Sequence, residues 1–167
     1  MKKFKGFTLI ELIVVIAIIG VLAAILVPSM MGWVYKSRVA TYNSNAREMF
    51  SQLQAVLTDL SSTDSNLADG GDYTVVFNGT GFSATGVSLD EDAEKLLKDI
   101  NEHLTDVSHA KWAASVSNGT VKSAVFTGND YKHVGGYPQQ CDKDYDTSGK
   151  SYTDFLSCAE NGWEAKE

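Results

Sequence analysis

The sequence predicts an α+β chain, in which one long N-terminal helix packs its second half on a small antiparallel β-sheet. Three observations predict it. Residues 12–34 carry no charge. Apolar residues then continue at helical spacing as far as Leu60. Beyond residue 70, short runs rich in β-branched and aromatic residues alternate with turns built on Gly and Asn.

The first element begins behind a short basic leader, Met1–Gly6, with Lys2, Lys3 and Lys5. A helix over residues 12–34 would be ~35 Å long, enough to cross the ~30 Å hydrocarbon core of a bilayer. The preceding lysines would hold the leader on the cytoplasmic side. A secretory signal has an apolar region of about 7–15 residues with small residues after it at the cleavage site. Here the run is longer, and the small residue on its polar side is Gly6, which comes before it. One charge, Glu11, sits inside the apolar segment. A carboxylate at membrane depth is costly and marks function, with a partner to be named. Pro28 lacks an N–H and should bend the helix or open it locally.

The string Gly6-Phe7-Thr8-Leu9-Ile10-Glu11, behind lysines and ahead of an apolar helix, resembles the prepilin-peptidase site of the type IV pilin family, a class III signal peptide. The strict match covers roughly residues 5–35. The resemblance implies cleavage after Gly6, N-methylation of the new terminus at Phe7, and an assembly role for Glu11. It also matches Gly20 and Pro28 to places where family helices loosen or bend. The implied function is structural: a major pilin, not an enzyme, polymerising into a surface filament for adhesion, biofilm or twitching motility. The alternatives are a pseudopilin of a type II secretion system and a minor pilin. Major pseudopilins of the family tend to be smaller with a calcium-bearing C-terminal region, and a tip-most subunit often lacks the glutamate. The implied partners are copies of the chain itself, the prepilin peptidase, and the pilus assembly platform with its ATPase. The implied route is a single-pass precursor in the inner (cytoplasmic) membrane, then an extracellular pilus on the cell surface.

The helix should not end with the apolar run. Val39, Tyr42, Ala46, Met49, Leu53, Val56 and Leu60 recur at three- and four-residue steps, with Phe50 and Leu57 widening the stripe. Arg38, Arg47, Glu48, Gln52, Gln54 and Asp59 take the other side. Four segments follow: leader 1–6, apolar helix 7–35, amphipathic continuation 36–61, and globular head 62–167.

In the head, Tyr73–Asn78 and Phe82–Ser88 read as strands around a Gly79–Gly81 turn. Ser88-Leu89-Asp90-Glu91 has the form of a capping box. It would open a helix with Leu89, Ala93, Leu96, Leu97, Ile100 and Leu104 on one side. Trp112–Ser117 and Thr120–Thr127 flank Asn118-Gly119, a hairpin signal. Trp112, Ala114 and Val116 would pair with Val125, Ser123 and Val121. Tyr131–Val134 would add a strand, and the chain from Gly135 onward reads as a loop closed by the cysteines.

Cys141 and Cys158 are the two cysteines. They resemble the C-terminal disulfide loop of many pilin heads, and an even pair in an exported chain reads as one disulfide. Such a bond would close a loop of roughly 18 residues, worth ~3 kcal/mol in the chain-entropy model. Two buried thiols are the other reading. Asp142, Asp144 and Asp146 form a D-x-D-x-D run, but Thr147 and Thr153 stand where a calcium loop needs Gly and Glu. Gly149-Lys150-Ser151 ends like a P-loop, but Asp144 replaces the first glycine. His103, His109 and His133 are scattered and make neither a metal site nor a triad. No catalytic residue, metal or cofactor is assigned. Asn78-Gly79-Thr80 and Asn118-Gly119-Thr120 match a glycosylation sequon and are better read as turns. The net charge is −7; losing the leader takes Lys+Arg from 14 to 11 against 21 Asp+Glu. That balance disfavours direct nucleic-acid binding.

Overall fold

The computed structural model describes residues 7–62, 65–68, 70–103, 110–128, 132–142, 145 and 147–163. The elements run α1 (Leu9–Leu60), β1 (Asp72–Phe77), β2 (Phe82–Thr85), α2 (Glu91–His103), β3 (Ala110–Ser117), β4 (Thr120–Gly128), β5 (Val134–Tyr137) and α3 (Tyr152–Asn161). This is the α+β architecture expected, with a long first helix and an antiparallel sheet ordered β2-β1-β3-β4-β5. Two compact units divide the chain, Met1–Tyr35 and Lys36–Glu167.

In the first unit, every described residue from Phe7 to Val34 is exposed, with Phe7 and Trp33 at 76%. The helical assignment runs through Pro28 without a break. Ser29 Oγ donates to the Leu26 carbonyl at 2.9 Å. This stretch is long and apolar enough to cross a membrane.

In the second unit, α1 buries Val39, Ala46, Met49, Leu53, Leu57 and Leu60, and half-buries Tyr42, Phe50 and Val56. All of these except Val39 belong to or pack on one core with Tyr73, Val75 and Phe77 of β1, Trp112, Ala114 and Val116 of β3, and Ala124 and Phe126 of β4. Phe77, Phe82 and Trp112 cluster with ring centroids 4.9–6.1 Å apart. Trp112 Nε1 donates to Asn101 Oδ1 at 3.3 Å, so its one polar atom is satisfied. Ala93, Leu97 and Ile100 of α2 join this core as expected, while Leu104 lies outside the described residues. Trp112, Ala113 and Ala114 are all fully buried, although successive residues of a strand face opposite ways. The sheet is therefore covered on both faces here, and α3 packs on β3, β4 and β5 with Phe155, Leu156 and Ala159 buried.

Several expectations change at the level of local geometry. The hairpin is present, with Asn118 at φ 50° and Gly119 at φ 69°, the left-handed pair a tight turn between twisted strands needs. Val116 pairs with Val121 as read, but a bulge at Ser115/Val116 shifts the remainder by one. Ala114 meets Ala124 and Trp112 meets Phe126, not Ser123 and Val125. Strand β2 stops at Thr85 instead of Ser88, because Gly86 turns at φ 97°. A Cβ there would stand 2.7 Å from the Asp72 carbonyl. The cap of α2 is Asp90, not Ser88. Asp90 Oδ1 accepts from the Ala93 N–H at 2.8 Å, and Oδ2 accepts from Ser65 Oγ at 2.8 Å and the Asn66 N–H at 3.0 Å. One carboxylate thus caps a helix and ties down the segment after α1. The Ala93 N–H, then the Ser65 hydroxyl, hold the Asp90 carboxyl below its ordinary range.

The largest change lies after Gly135. Tyr131 is outside the described residues, and the fifth strand is Val134–Tyr137, so Gly135 and Gly136 are strand residues. A Cβ on Gly135 would collide with the Tyr42 carbonyl carbon. One on Gly136 would meet Trp163 Cζ2 at 2.5 Å. These glycines mark close packing against α1 and Trp163. What read as a closing loop also contains α3. Ser151 caps it, accepting the Asp154 N–H at 3.4 Å, while Asp154 Oδ2 accepts the Ser151 N–H at 2.7 Å.

Candidate assembly site at the amino terminus

Phe7 and Thr8 precede the first turn of α1. The first N–H groups of any helix lack intrahelical acceptors. Thr8 and Glu11 supply them reciprocally. The Glu11 N–H donates to Thr8 Oγ1 at 3.4 Å, and the Thr8 N–H donates to Glu11 Oε2 at 2.8 Å. The Thr8 hydroxyl also donates to Oε2, at 2.6 Å. This is a capping box of the Thr-x-x-Glu form, a spacing that the sequence itself carries. Glu11 thereby also sits at the positive end of the helix dipole.

Both Thr8 bonds converge on one carboxylate oxygen, Oε2. Among the described residues, Oε1 accepts no hydrogen bond and no cation pairs with Glu11. The cap fixes the carboxylate on the outside of the first turn with half of its acceptor capacity unused. Gly6 lies outside the described residues. Gly20 has nothing within 4 Å of where a Cβ would stand, so nothing among the described residues requires a glycine there.

The second group of expected site residues is in the head. Cys141 is buried and Cys158 half-buried, and no bond joins them in this structure. Cys158 Sγ instead lies 3.1 Å from Tyr145 Oη. Asp142 is exposed, while Asp144 and Asp146 are outside the described residues. Asn78 and Asn118 sit in turns. Asn78 Oδ1 accepts from the Thr80 and Gly81 N–H groups, both at 3.0 Å.

Sequence reasoning missed three polar residues on α1. Asn43 and Asn45 are buried on the apolar face, and Gln54 is half-buried rather than turned away. Gln54 Oε1 accepts the Val121 N–H at 2.9 Å, and its Nε2 donates to the Gly119 carbonyl at 3.3 Å, which fastens the hairpin to the helix.

The profile of the prokaryotic N-terminal methylation motif matches residues 1–27, so the amino-terminal segment carries that motif. A type IV major fimbrial protein, FimA, of Dichelobacter nodosus is 39% identical over 90 residues, 49% of this chain and 56% of that protein. A fimbrial protein of Pseudomonas aeruginosa is 30% identical over 99 residues, 55% of this chain and 64% of its own length. A probable minor fimbrial protein of D. nodosus is 42% identical over 69 residues, 41% of this chain and 43% of its own. The chain thus spans about half the length of the curated relatives it matches. No solved structure matches it.

Proposed function

We propose that this chain is a major type IV pilin, which leaves the membrane by polymerising through the apolar half of α1 into a surface filament. The observation that carries the reading is the first unit itself. From Phe7 to Val34 it exposes an unbroken apolar surface around one capped carboxylate, Glu11. Exposed apolar area on this scale needs either lipid or the same helix of other subunits to cover it.

In this account residues 1–6 are the leader, and 7–35 form first the membrane span and then the filament core. Residues 36–61 carry the head, and 62–167 complete it. The peptidase cuts after Gly6, where the missing side chain lets it approach the backbone, and Phe7 becomes the methylated terminus. Glu11 of one subunit then attracts the new amino group of the next, which sets their axial offset as the apolar surfaces close. Gly20 and Pro28 supply the looseness that packing demands. The platform and its ATPase drive extraction from the inner membrane, and the filament emerges at the cell surface. In the exported head Cys141 and Cys158 become bonded.

The likeness to a probable minor fimbrial protein favours one second reading, a minor subunit of the same filament. Filaments sheared from the cell surface, imaged by electron microscopy and weighed by mass spectrometry, separate the two. A major pilin is their predominant component; a trace quantity assigns the minor role; absence from them defeats both.

A further inference from the structure

We infer that Asn43 is a positioning residue for Cys141: its side chain holds that cysteine's backbone at both polar groups, presetting it for bonding to Cys158. The inference rests on the disulfide proposed above. Asn43 lies on α1 and is 7% exposed. Its Nδ2 donates to the Cys141 carbonyl at 2.7 Å. Its Oδ1 accepts the Cys141 N–H at 3.1 Å and the Gly136 N–H at 2.9 Å. Three backbone groups, 93 and 98 positions along the chain, thus meet one carboxamide, which spends a donor and both lone pairs on them. Each is buried, and leaving such a group without a partner costs more than a hydrogen bond ordinarily contributes.

The same short segment is held from the other side by the helix that carries Cys158. The Gln139 N–H donates to the Ala159 carbonyl at 2.8 Å, and Trp163 Nε1 donates to the Gln139 carbonyl at 2.7 Å. Residues 136–141 are therefore clamped between Asn43 on α1 and the end of α3 with no bond between the sulfurs. Gly135 permits the approach, since a side chain there would collide with the α1 backbone at Tyr42 and Asn43. Chain entropy that a disulfide would otherwise remove is already lost when the thiols close. With glutathione disulfide as oxidant, the two thiols give up two protons and two electrons. One S–S bond forms in the protein, the glutathione S–S bond breaks, and two glutathione thiols are released.

The test uses the full chain in detergent micelles, equilibrated in glutathione buffers of graded ratio and acid-quenched, with the oxidised fraction read by mass spectrometry. Asn43→Ala should lower the effective concentration of the thiol pair ~10-fold or more. Gln54→Ala also removes a helix carboxamide that binds distant backbone, but it touches the hairpin and should stay within ~2-fold of wild type. In a Cys158→Ser background, alkylation of Cys141 should be ~10-fold faster with Asn43→Ala and unchanged with Gln54→Ala. Asn43→Asp keeps the acceptor and loses the donor to the Cys141 carbonyl, so it should be intermediate in both assays. It serves in place of Asn43→Ala if that variant does not fold. A wild-type chain that stays reduced at every ratio defeats the disulfide, and the alkylation arm then decides the role of Asn43 alone. Asn43 variants that match Gln54→Ala in both measurements overturn the inference.

Discussion

Two stretches of the same helix meet opposite surroundings. From Phe7 to Val34 every described side chain is exposed, whereas Ala46, Met49, Leu53, Leu57 and Leu60 are buried in one core with the sheet. Backbone conformation is common to both, so it is the distribution of apolar residues that differs. All round, they call for lipid or neighbouring helices; on one stripe, they call for a single covering sheet. The polar exceptions follow the same division. Glu11 caps its own first turn and keeps one oxygen uncommitted among the described residues, while Asn43 commits its amide oxygen and one N–H to buried backbone.

Changes in the first stretch should affect assembly and leave the head intact; changes in the second should do the reverse. The largest effect belongs to Glu11→Ala. Membrane insertion and cleavage should stay normal while surface filaments fall to a small fraction of wild type, with Glu11→Asp intermediate, as counted by electron microscopy. Abundant, stable filaments made only of Glu11→Ala subunits would remove its assembly role. Next, Trp112→Ala empties the centre of the head core and should cost ~3–5 kcal/mol in denaturant unfolding, with cleavage at Gly6 unchanged. Gly135→Ala forces a methyl group into the α1 backbone and should cost ~1–3 kcal/mol or more. A normal midpoint for this variant would mean that β5 does not lie on the helix.

The smallest effect is at Asp90, where loss of the cap by Asp90→Ala should cost ~1 kcal/mol. Its sign with pH is fixed by the hydrogen bonds it accepts. Because they hold the folded carboxyl below its ordinary value, its stabilisation is complete above the ordinary carboxylate range and is lost as pH falls through the folded value. Asp154, held down mainly by the Ser151 N–H and hydroxyl, adds in the same direction. Asp90→Asn keeps an acceptor for the cap and should flatten the acid limb of the stability curve. An unchanged acid limb would assign that limb to other carboxylates.

How much of this was legible depends on the range of the interaction. The course of α1, the Asn118-Gly119 hairpin and the α2 stripe rest on neighbours a few positions apart, and they were readable. The bulge at Ser115/Val116 was not, because it depends on how β4 must be aligned to bury Ala124 and Phe126. Strand β5 was hidden by Gly135 and Gly136, poor strand formers whose value appears only when α1 and Trp163 lie against them. Helix α3 was signalled by Ser151-Tyr152-Thr153-Asp154, but with only Phe155, Leu156 and Ala159 buried its apolar pattern is thin. At the amino terminus Thr8 could have been read from the Thr-x-x-Glu spacing. Asn43 could not, since its partners lie more than ninety residues away.

Filament assembly turns on whether the apolar half of α1 is released as a new, methylated terminus that can meet Glu11 of a neighbour. The direct measurement is amino-terminal sequencing, with mass analysis of the terminal peptide, of the mature subunit recovered from cells. The chain should begin at Phe7 and carry one added methyl group. A mature protein that begins at Met1, or one cut beyond Ala23, would contradict it.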